Sequence, residues 1–225
     1  MSAYYTRNDR LYVAVDCVIF GLDHGRLCLL LTKRNFEPEA GKWSLMGGFV
    51  GREESVDDAA ARVLRELTGL TRVYMHQVGT FGAVDRDPGE RVVSVAYSAL
   101  VNIADVDSAA VEDHNAHWLP LDELPELGFD HPMMISRALD SLRRKFAVEP
   151  VAFRLLPPLF TLSQLQALYE TVLGEEIDKR NFRKRVAEVE SIVATDSIDK
   201  TGSRRGARLY RFDNTIYTNN LRFKI

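Results

Sequence analysis

Glycines and charged residues recur at fixed spacing in the segment GGFVGREESVDDAAARVLRELTGL, between Gly47 and Leu70. Carboxylates three and four residues apart on a helix share one face, where together they can hold Mg²⁺ or Mn²⁺. Positions 63, 66 and 67 of the predicted helix have this spacing, but only Glu66 is a carboxylate, because Val63 and Leu67 are apolar. A hard cation needs several oxygen ligands, so we expect no catalytic residue and no metal here.

The same segment resembles the Nudix box, which reads Gly, five residues, Glu, seven residues, then Arg-Glu-apolar-any-Glu-Glu-any-Gly-apolar. The matching positions are Gly48, Glu54, Arg62, Leu64, Glu66, Gly69 and Leu70, and the departures are Val63 and Leu67. The resemblance covers about residues 10–147. It implies that Glu54 and Arg62 brace the loop against the helix, while the metal-binding face of the family is lost.

Polar and aromatic side chains cluster in the loops on either side of this motif. A cleft can keep its shape and bind a small molecule after it has lost the groups needed for catalysis. We therefore predict an effector site in this part of the chain. The candidate effector-binding residues are Arg34, Trp43, Asp85, Arg86, Asp87, Glu90 and Arg91.

A second candidate site is basic and lies near the end of the chain, in DKRNFRKRV and in the tip TGSRRG with the strand that follows it. Phe182 and Val186 form an inward stripe on a predicted helix, which leaves the basic residues facing outward. Recognition helices present such residues to base edges and phosphates. The candidate DNA-binding residues are Lys179, Arg180, Asn181, Arg183, Lys184, Arg204, Arg205 and Arg208.

The elements that must position these residues follow from periodicity. Alternating apolar residues predict a half-buried strand over residues 11–20, paired in a hairpin with RLCLLLTK. Further strands and three helices, one of them a short helix at the end of HWLPLDELPEL, predict an α/β (α+β) sandwich with a mixed sheet over residues 1–150. The prolines at positions 150, 157 and 158 indicate a connector. Residues 151–225 then predict a winged helix-turn-helix, with capping residues Thr161 and Asp178 before its two helices.

Composition places the chain among globular proteins and divides it by charge. The 225 residues are 46% apolar and 27% charged, which excludes a disordered tail or a disulfide mini-protein. Residues 1–150 carry 16 Lys and Arg against 23 Asp and Glu, whereas residues 151–225 carry 13 against 9. An acidic module joined to a basic one is typical of a sensor that contacts a polyanion.

The two cysteines and the hydropathy pattern indicate the cellular compartment. Cys17 and Cys28 both lie in apolar stretches, so we expect buried free thiols with no metal or redox role. No apolar run is long enough to span a membrane, and no signal-peptide core begins the sequence. We expect a cytoplasmic protein that needs no cofactor and has no membrane partner.

A degenerate Nudix box followed by DKRNFRKRV in a winged helix resembles the NrtR family of Nudix-related transcriptional regulators, over nearly the whole chain. The resemblance implies a homodimeric repressor that binds palindromic double-stranded DNA and is released by a small molecule. The segments around Val63 and Leu67 look closest to the arabinose-responsive AraR-like branch, which implies L-arabinose as the effector.

Three alternatives remain open from the residues. One is a regulator of NAD metabolism that senses ADP-ribose, whose diphosphate Arg34, Arg86 or Arg91 would contact. Another is an active Nudix hydrolase of an ADP-ribose-type nucleotide sugar that uses Glu66 with other carboxylates such as Glu54. The third is that the basic domain binds RNA or a protein partner.

Overall fold

The computed structural model describes residues 7–71, 73–201 and 206–217, which divide into two compact units. The first unit contains the described residues up to Ile19, with Leu29–Ala99 and Val106–Ala138. The second contains Phe20–Cys28, Leu100–Asp105 and the described residues from Leu139 onward. The boundary falls inside a helix rather than at the proline-rich stretch, and the division at residue 150 stays a prediction.

Seven strands of the described residues form one sheet. They are β1 (Tyr12–Asp23), β2 (Arg26–Lys33), β3 (Trp43–Ser44), β4 (Met46–Phe49), β5 (Tyr74–Phe81), β6 (Val92–Val101) and β7 (Ala116–Pro120). The strand order is β3-β2-β1-β6-β5, with β4 paired to β1 and β7 paired to β2. The antiparallel β1–β4 pair aligns Asp16 with Gly47, so the start of the glycine-rich motif lies beside the middle of β1.

Strand β1 is buried on both faces from Val15 to Gly21, so the predicted half-buried strand is wrong in this respect. Cys17 contacts the carbonyl of Ala60 on one face, and Asp16 approaches His131 on the other. Elements therefore cover both sides of the sheet here, which alternation in one strand does not reveal. Both cysteines are buried free thiols, as predicted, and burial raises the pKa of Cys17 to about 12.

The helices that frame the motif begin and end where local chemistry predicts. Helix α1 (Val56–Thr68) begins at Ser55, whose side chain accepts from the backbone N–H of Asp58 in a capping box. It ends at Gly69, whose φ of 72° favours glycine. Helices α2 (Ser108–Asp113) and α3 (His131–Phe146) follow. Helix α2 was not predicted, because its six residues are too few to show helical periodicity. The short helix predicted in HWLPLDELPEL is a 3₁₀ helix over Leu121–Glu123.

The second unit contains a helix-turn-helix and a small sheet. Helix α4 (Leu162–Leu173) begins with the predicted capping box of Thr161 and ends at Gly174, and α5 (Lys179–Ala187) begins at Asp178. Strands β8 (Phe160–Thr161), β9 (Ile192–Asp199) and β10 (Ala207–Phe212) pair in the order β8-β10-β9. Together with the first unit, this confirms the predicted sandwich followed by a winged helix-turn-helix.

The turn between α4 and α5 is fixed by two polar side chains. Gln166 donates to Glu170 at 2.9 Å and to the carbonyl of Ile177 at 3.0 Å, and Glu170 accepts from the N–H of Ile177 at 3.1 Å. Hydrogen bonds from Gln166 and from the Ile177 backbone lower the pKa of Glu170. Beneath the turn, the ring of Tyr169 packs against those of Phe146 and Phe182.

The proline-rich stretch is more ordered than a connector. Pro150–Arg154 form a 3₁₀ helix, in which Val151 and Ala152 are buried. A proline can begin such a helix because the first N–H groups have no partner within it. The prediction of a simple connector is therefore wrong for these five residues. Within the described residues, no helix is both long and apolar enough to cross a membrane.

The buried aromatic core of the second unit should control its stability. Replacing Phe182, which is 1% exposed, with Ala should lower the free energy of unfolding by about 3–5 kcal/mol, because a large cavity forms next to Tyr169. Denaturant titration followed by circular dichroism measures this change. The control Lys184→Ala, on the exposed side of the same helix, should change it by less than about 0.5 kcal/mol. Equal losses in both variants would contradict the packing described.

Candidate functional site

A cleft of about 570 Å³ opens on the first unit beside the glycine-rich motif. This volume lies within the usual range for a site that takes a small molecule. Its walls come from β1, the end of β2 with the following loop, β3 and β4, α1, and the residues before α3. Among the lining residues are Asp16, Lys33, Arg34, Asn35, Phe36, Gly47, Gly48, Leu67, Arg86, Asp87, His114, Asn115, Phe129 and His131.

The motif braces the loop before α1. Arg62 donates to both carboxylate oxygens of Glu54, at 2.7 and 3.1 Å, and to the carbonyl of Phe49 at 3.1 Å. Glu54 also accepts from the N–H of Gly51 at 2.7 Å. The hydrogen bonds from Arg62 and then from Gly51 lower the pKa of Glu54 to about 2. Glu54 and Arg62 thus hold the loop in place, as the resemblance implied.

The face that would hold a metal is largely apolar. Val63 and Leu67 are 3% and 5% exposed, and Leu67 forms part of the cleft wall. The Glu66 side chain is 49% exposed and lies 3.6 Å from Arg62. Among the described residues, no three His, Cys, Asp or Glu side chains are grouped so that they could hold a metal ion. The residues present therefore do not fit a hard divalent cation, which needs several oxygen ligands.

A buried ion cluster forms the floor of the cleft. The guanidinium of Arg86 donates to Asp130 through Nη2 at 2.8 Å and through Nε at 3.1 Å, and Nη2 lies 3.4 Å from Asp16. Ser94 donates to the same Asp16 oxygen at 2.5 Å. The Arg86 side chain is only 4% exposed. A buried arginine of this kind is tolerated because carboxylates compensate its charge.

His131 completes the floor in its neutral form. Burial lowers its pKa, and the N–H of Leu45 donates to its Nδ1 at 3.0 Å. The neutral imidazole therefore carries its proton on Nε2, which lies 3.6 Å from Asp16. Asp16 and Asp130 thus outnumber the one guanidinium that they bind directly, that of Arg86, while the charge of Arg34 also acts on His131. We call this cluster the acidic floor.

Position 47 requires glycine because Asp16 lies very close to its backbone. A Cβ atom at position 47 would lie 2.4 Å from Oδ1 of Asp16 and 2.7 Å from the carbonyl oxygen of Val15. Any larger residue would force β4 away from β1 or push Asp16 out of its place. The glycine therefore allows the carboxylate to lie directly against the neighbouring strand.

The candidate effector residues separate into three groups. Arg34, Arg86 and Asp87 line the cleft, and Asp85 and Arg86 line a second cavity of about 580 Å³ that lies beyond Arg86. The lining of the cleft does not include Trp43, Glu90 or Arg91. Trp43 instead packs edge-on against His117, with ring centroids 5.5 Å apart.

Arg91 has a clear structural task in the loop before β6. Its guanidinium donates to the carbonyls of Gly82, Ala83 and Val92, at 3.0, 3.1 and 3.3 Å. These bonds tie together the two ends of the loop that carries Arg86. Arg91 therefore acts on the cleft through the loop conformation.

Sequence reasoning missed Asp16, Ser94, Asp130 and His131. Asp16 was detectable, because an isolated carboxylate in the apolar stretch LYVAVDCVIF is costly to bury unless it is paired. Ser94, Asp130 and His131 have no comparable feature in the sequence around them. They meet Asp16 only after the chain has folded, from positions 78 to 115 residues away.

The basic residues of α5 lie on its outer side. Phe182 and Val186 are buried, whereas Lys179, Arg180, Asn181, Arg183 and Lys184 are exposed. Arg208 is exposed on β10. Arg204 and Arg205 lie outside the described residues. The geometry thus presents a row of cations on one helix of a helix-turn-helix, an arrangement suited to the groove and backbone of DNA.

Comparisons with known proteins match both parts of the chain. The NUDIX domain model matches residues 10–137, and the model of the NrtR DNA-binding winged helix domain matches residues 152–212. The ADPR responsive transcriptional repressor NtrR of Acinetobacter baylyi is 36% identical over 216 residues, which are 93% of this chain and 86% of that protein.

Two solved structures from Shewanella oneidensis are also similar. Its NrtR in complex with a 27mer DNA has a TM-score of 0.79 and 31% identity, over 89% of this chain and 93% of that one. The NUDIX domain of the same protein in complex with ADP ribose has a TM-score of 0.50 and 31% identity, over 63% of this chain and 99% of that one. Neither these structures nor the relative supports the arabinose-responsive branch.

Removing Arg86 should destabilise the first unit strongly. Arg86→Ala should lower its free energy of unfolding by about 3–5 kcal/mol, because Asp16 and Asp130 would remain buried without a counterion. Adding Asp130→Asn should recover part of this loss, since one of the two charges is then gone. Denaturant titration followed by near-UV circular dichroism measures both changes. The exposed Arg52→Ala serves as the control, and a loss no greater than that of the control would refute the role of the ion cluster.

Proposed function

The chain belongs to the NrtR family of regulators that join a Nudix domain to a DNA-binding winged helix, and we propose that it is an ADP-ribose-responsive transcriptional repressor. In this proposal α5 binds operator DNA, and the complex dissociates when ADP-ribose occupies the cleft of the first unit. One observation carries the proposal: the same chain contains a ligand-sized cleft and a row of exposed cations on α5. In the cleft, the face of α1 that would bind metal ions is apolar.

The proposed effector is ADP-ribose, in place of the L-arabinose that the sequence resemblance implied. The similar Acinetobacter repressor is named for its response to ADPR, and the similar Shewanella Nudix domain was crystallised with ADP ribose. The cleft supports this assignment, because Phe36 is 61% exposed in its lining and offers an aromatic face to a base. Arg34 lies beside it and supplies a cation for a diphosphate.

Binding without cleavage follows from the composition of α1. Cleavage of a diphosphate by this class of fold depends on metal ions that neutralise its charge and activate water. Val63 and Leu67 stand where two of the three glutamates would be, and Glu66 alone cannot supply the missing ligands. The bound effector therefore persists long enough to act as a signal.

DNA recognition is assigned to the exposed face of α5. Asn181, Arg183 and Lys184 lie near its beginning and middle, where a recognition helix meets base edges and phosphates. We further propose that the active form is a homodimer, because two identical recognition helices match the two halves of a palindromic operator. Arg208 on β10, with Arg204 and Arg205 before it, would contact the flanking backbone.

The experiment that tests the proposal is fluorescence anisotropy of the purified protein on a labelled duplex from upstream of its own operon. Adding ADP-ribose should lower the anisotropy to that of free DNA, whereas L-arabinose at the same concentration should leave it unchanged. Release by arabinose alone would return the protein to the branch indicated by its sequence. Stable binding in the presence of both ligands would refute the assigned effector.

Arg183 should contribute more to operator affinity than its charge alone explains. Arg183→Ala should weaken binding by about 1–3 kcal/mol if the guanidinium reads a base. Arg185→Ala is the matched control, because it removes the same charge from the last turn of the same helix. The loss of a phosphate contact lowers the salt dependence of affinity, so a base-reading Arg183 should leave that dependence nearly unchanged when it is removed. Equal affinities of the two variants for the operator would remove Arg183 from base recognition.

The protein should bind ADP-ribose without cleaving it. After incubation with Mg²⁺, chromatography should recover the ligand intact, because α1 lacks the carboxylates that would hold the metal ions. Release of two monophosphates, abolished by Glu66→Gln, would instead support the hydrolase alternative.

A further inference from the structure

Three arginines beside the cleft are possible partners for a diphosphate, and the structure distinguishes them. Arg86 is committed to Asp130 and Asp16, and its side chain is almost fully buried. Arg91 is committed to loop carbonyls such as those of Gly82 and Ala83. Neither guanidinium can turn to a ligand without breaking bonds that hold the domain together.

Arg34, in contrast, has donor groups that are free to bind a ligand. Its guanidinium carbon lies 4.3 Å from the ring centroid of Phe36 and 4.9 Å from that of Phe129, so the two rings hold it in place. Its Nε donates to the carbonyl of Pro38 at 2.8 Å. Within the described part of the chain, its two Nη groups have no hydrogen-bond partner. They therefore present a fixed, planar pair of donors at the wall of the cleft.

Lys33, next to Arg34, is the neighbouring cation in the lining, but it is more exposed. Among the described residues, no ring contact or ion pair fixes its ammonium group. A flexible lysine loses more conformational entropy on binding than an arginine that is already held. The geometry thus favours Arg34 as the principal anion-binding group.

The charges of the floor are unfavourable for a diphosphate. Asp16 and Asp130 together carry more negative charge than Arg86 neutralises, and His131 is neutral. A diphosphate placed near Arg86 would meet these carboxylates at short range in a partly buried setting, where repulsion is strong. The neutral hydroxyl groups of a ribose can donate to the same carboxylates, so they suit the floor.

We infer that Arg34, held between Phe36 and Phe129, recognises the diphosphate of the effector, and that the acidic floor of Asp16, Arg86 and Asp130 keeps the diphosphate away from Arg86. This inference rests on the proposed function, because it assumes ADP-ribose as the effector. It makes Arg34 the residue that distinguishes a diphosphate ligand from a neutral sugar.

Isothermal titration calorimetry of the full chain with ADP-ribose and with adenosine tests this assignment. Arg34→Met keeps the aliphatic stem but removes the charge and the donors, and it should weaken ADP-ribose binding by about 10- to 100-fold. Adenosine, which has no phosphate, should bind both proteins within about threefold of each other. Arg34→Lys, which keeps the charge without the planar pair of donors, should lie between Arg34→Met and the wild type.

Arg137→Met is the matched control. Like Arg34, Arg137 lies 4.9 Å from an aromatic ring, that of Phe81, but it is more exposed and lines the second cavity. It should bind ADP-ribose as the wild type does. If Arg34→Met and Arg34→Lys both fold and bind ADP-ribose like the wild type, the assignment is overturned while the proposed function stands.

A loss of ADP-ribose binding in Arg137→Met alone would also overturn the assignment, because it would place the diphosphate in the second cavity. Failure of the wild-type protein to bind ADP-ribose would overturn the proposed function, and the assignment of Arg34 with it.

Discussion

The first unit depends on the ion pairs that the buried guanidinium of Arg86 forms with Asp16 and Asp130. The guanidinium joins three parts of the chain that are far apart in sequence: β1 through Asp16, the loop before β6 through Arg86 itself, and the start of α3 through Asp130. A charge in this position is stable only while its partners stay close, so each of the three segments must hold its place. The absence of a side chain at Gly47 lets Asp16 lie against β4 and complete the arrangement.

This constraint also shapes the ligand chemistry of the cleft. Because Asp16 and Asp130 bind the guanidinium of Arg86, the cations left in the lining are Lys33 and Arg34. Of these two, Arg34 is the one that contacts aromatic rings. The apolar residues at positions 63 and 67 remove the oxygen ligands that metal ions would need, yet they keep α1 packed through buried contacts. The helix face that lines the cleft therefore packs well but offers few oxygen ligands to a metal ion.

Local features of the fold were predictable from the sequence, and long-range ones were not. Ser55, Gly69 and Asp178 mark helix ends because a cap depends on a side chain and on the backbone within a few residues of it. Strand β8 is only two residues long and forms because β10 lies beside it, which no local pattern reveals. The burial of β1 on both faces was missed for the same reason.

In the candidate site, too, local features were predictable from the sequence and long-range contacts were not. Arg34 and Arg86 were both expected to bind the effector because both are cations in loops beside the motif. Their different environments arise from Phe129 and Asp130, adjacent residues that approach them from more than 40 positions away. The outward row on α5 was predicted correctly, because helical periodicity alone places Phe182 and Val186 inward.

We propose that this chain binds ADP-ribose and operator DNA in two different states, so that each ligand weakens the binding of the other. Thermodynamic linkage requires that if ADP-ribose weakens DNA binding by a given factor, DNA weakens ADP-ribose binding by the same factor. The most direct measurement is the affinity of the protein for ADP-ribose, by calorimetry, without DNA and with saturating operator duplex. The account predicts a clear loss of affinity when DNA is bound. Equal affinities in the two titrations would contradict it, because the cleft would then have no influence on the winged helix.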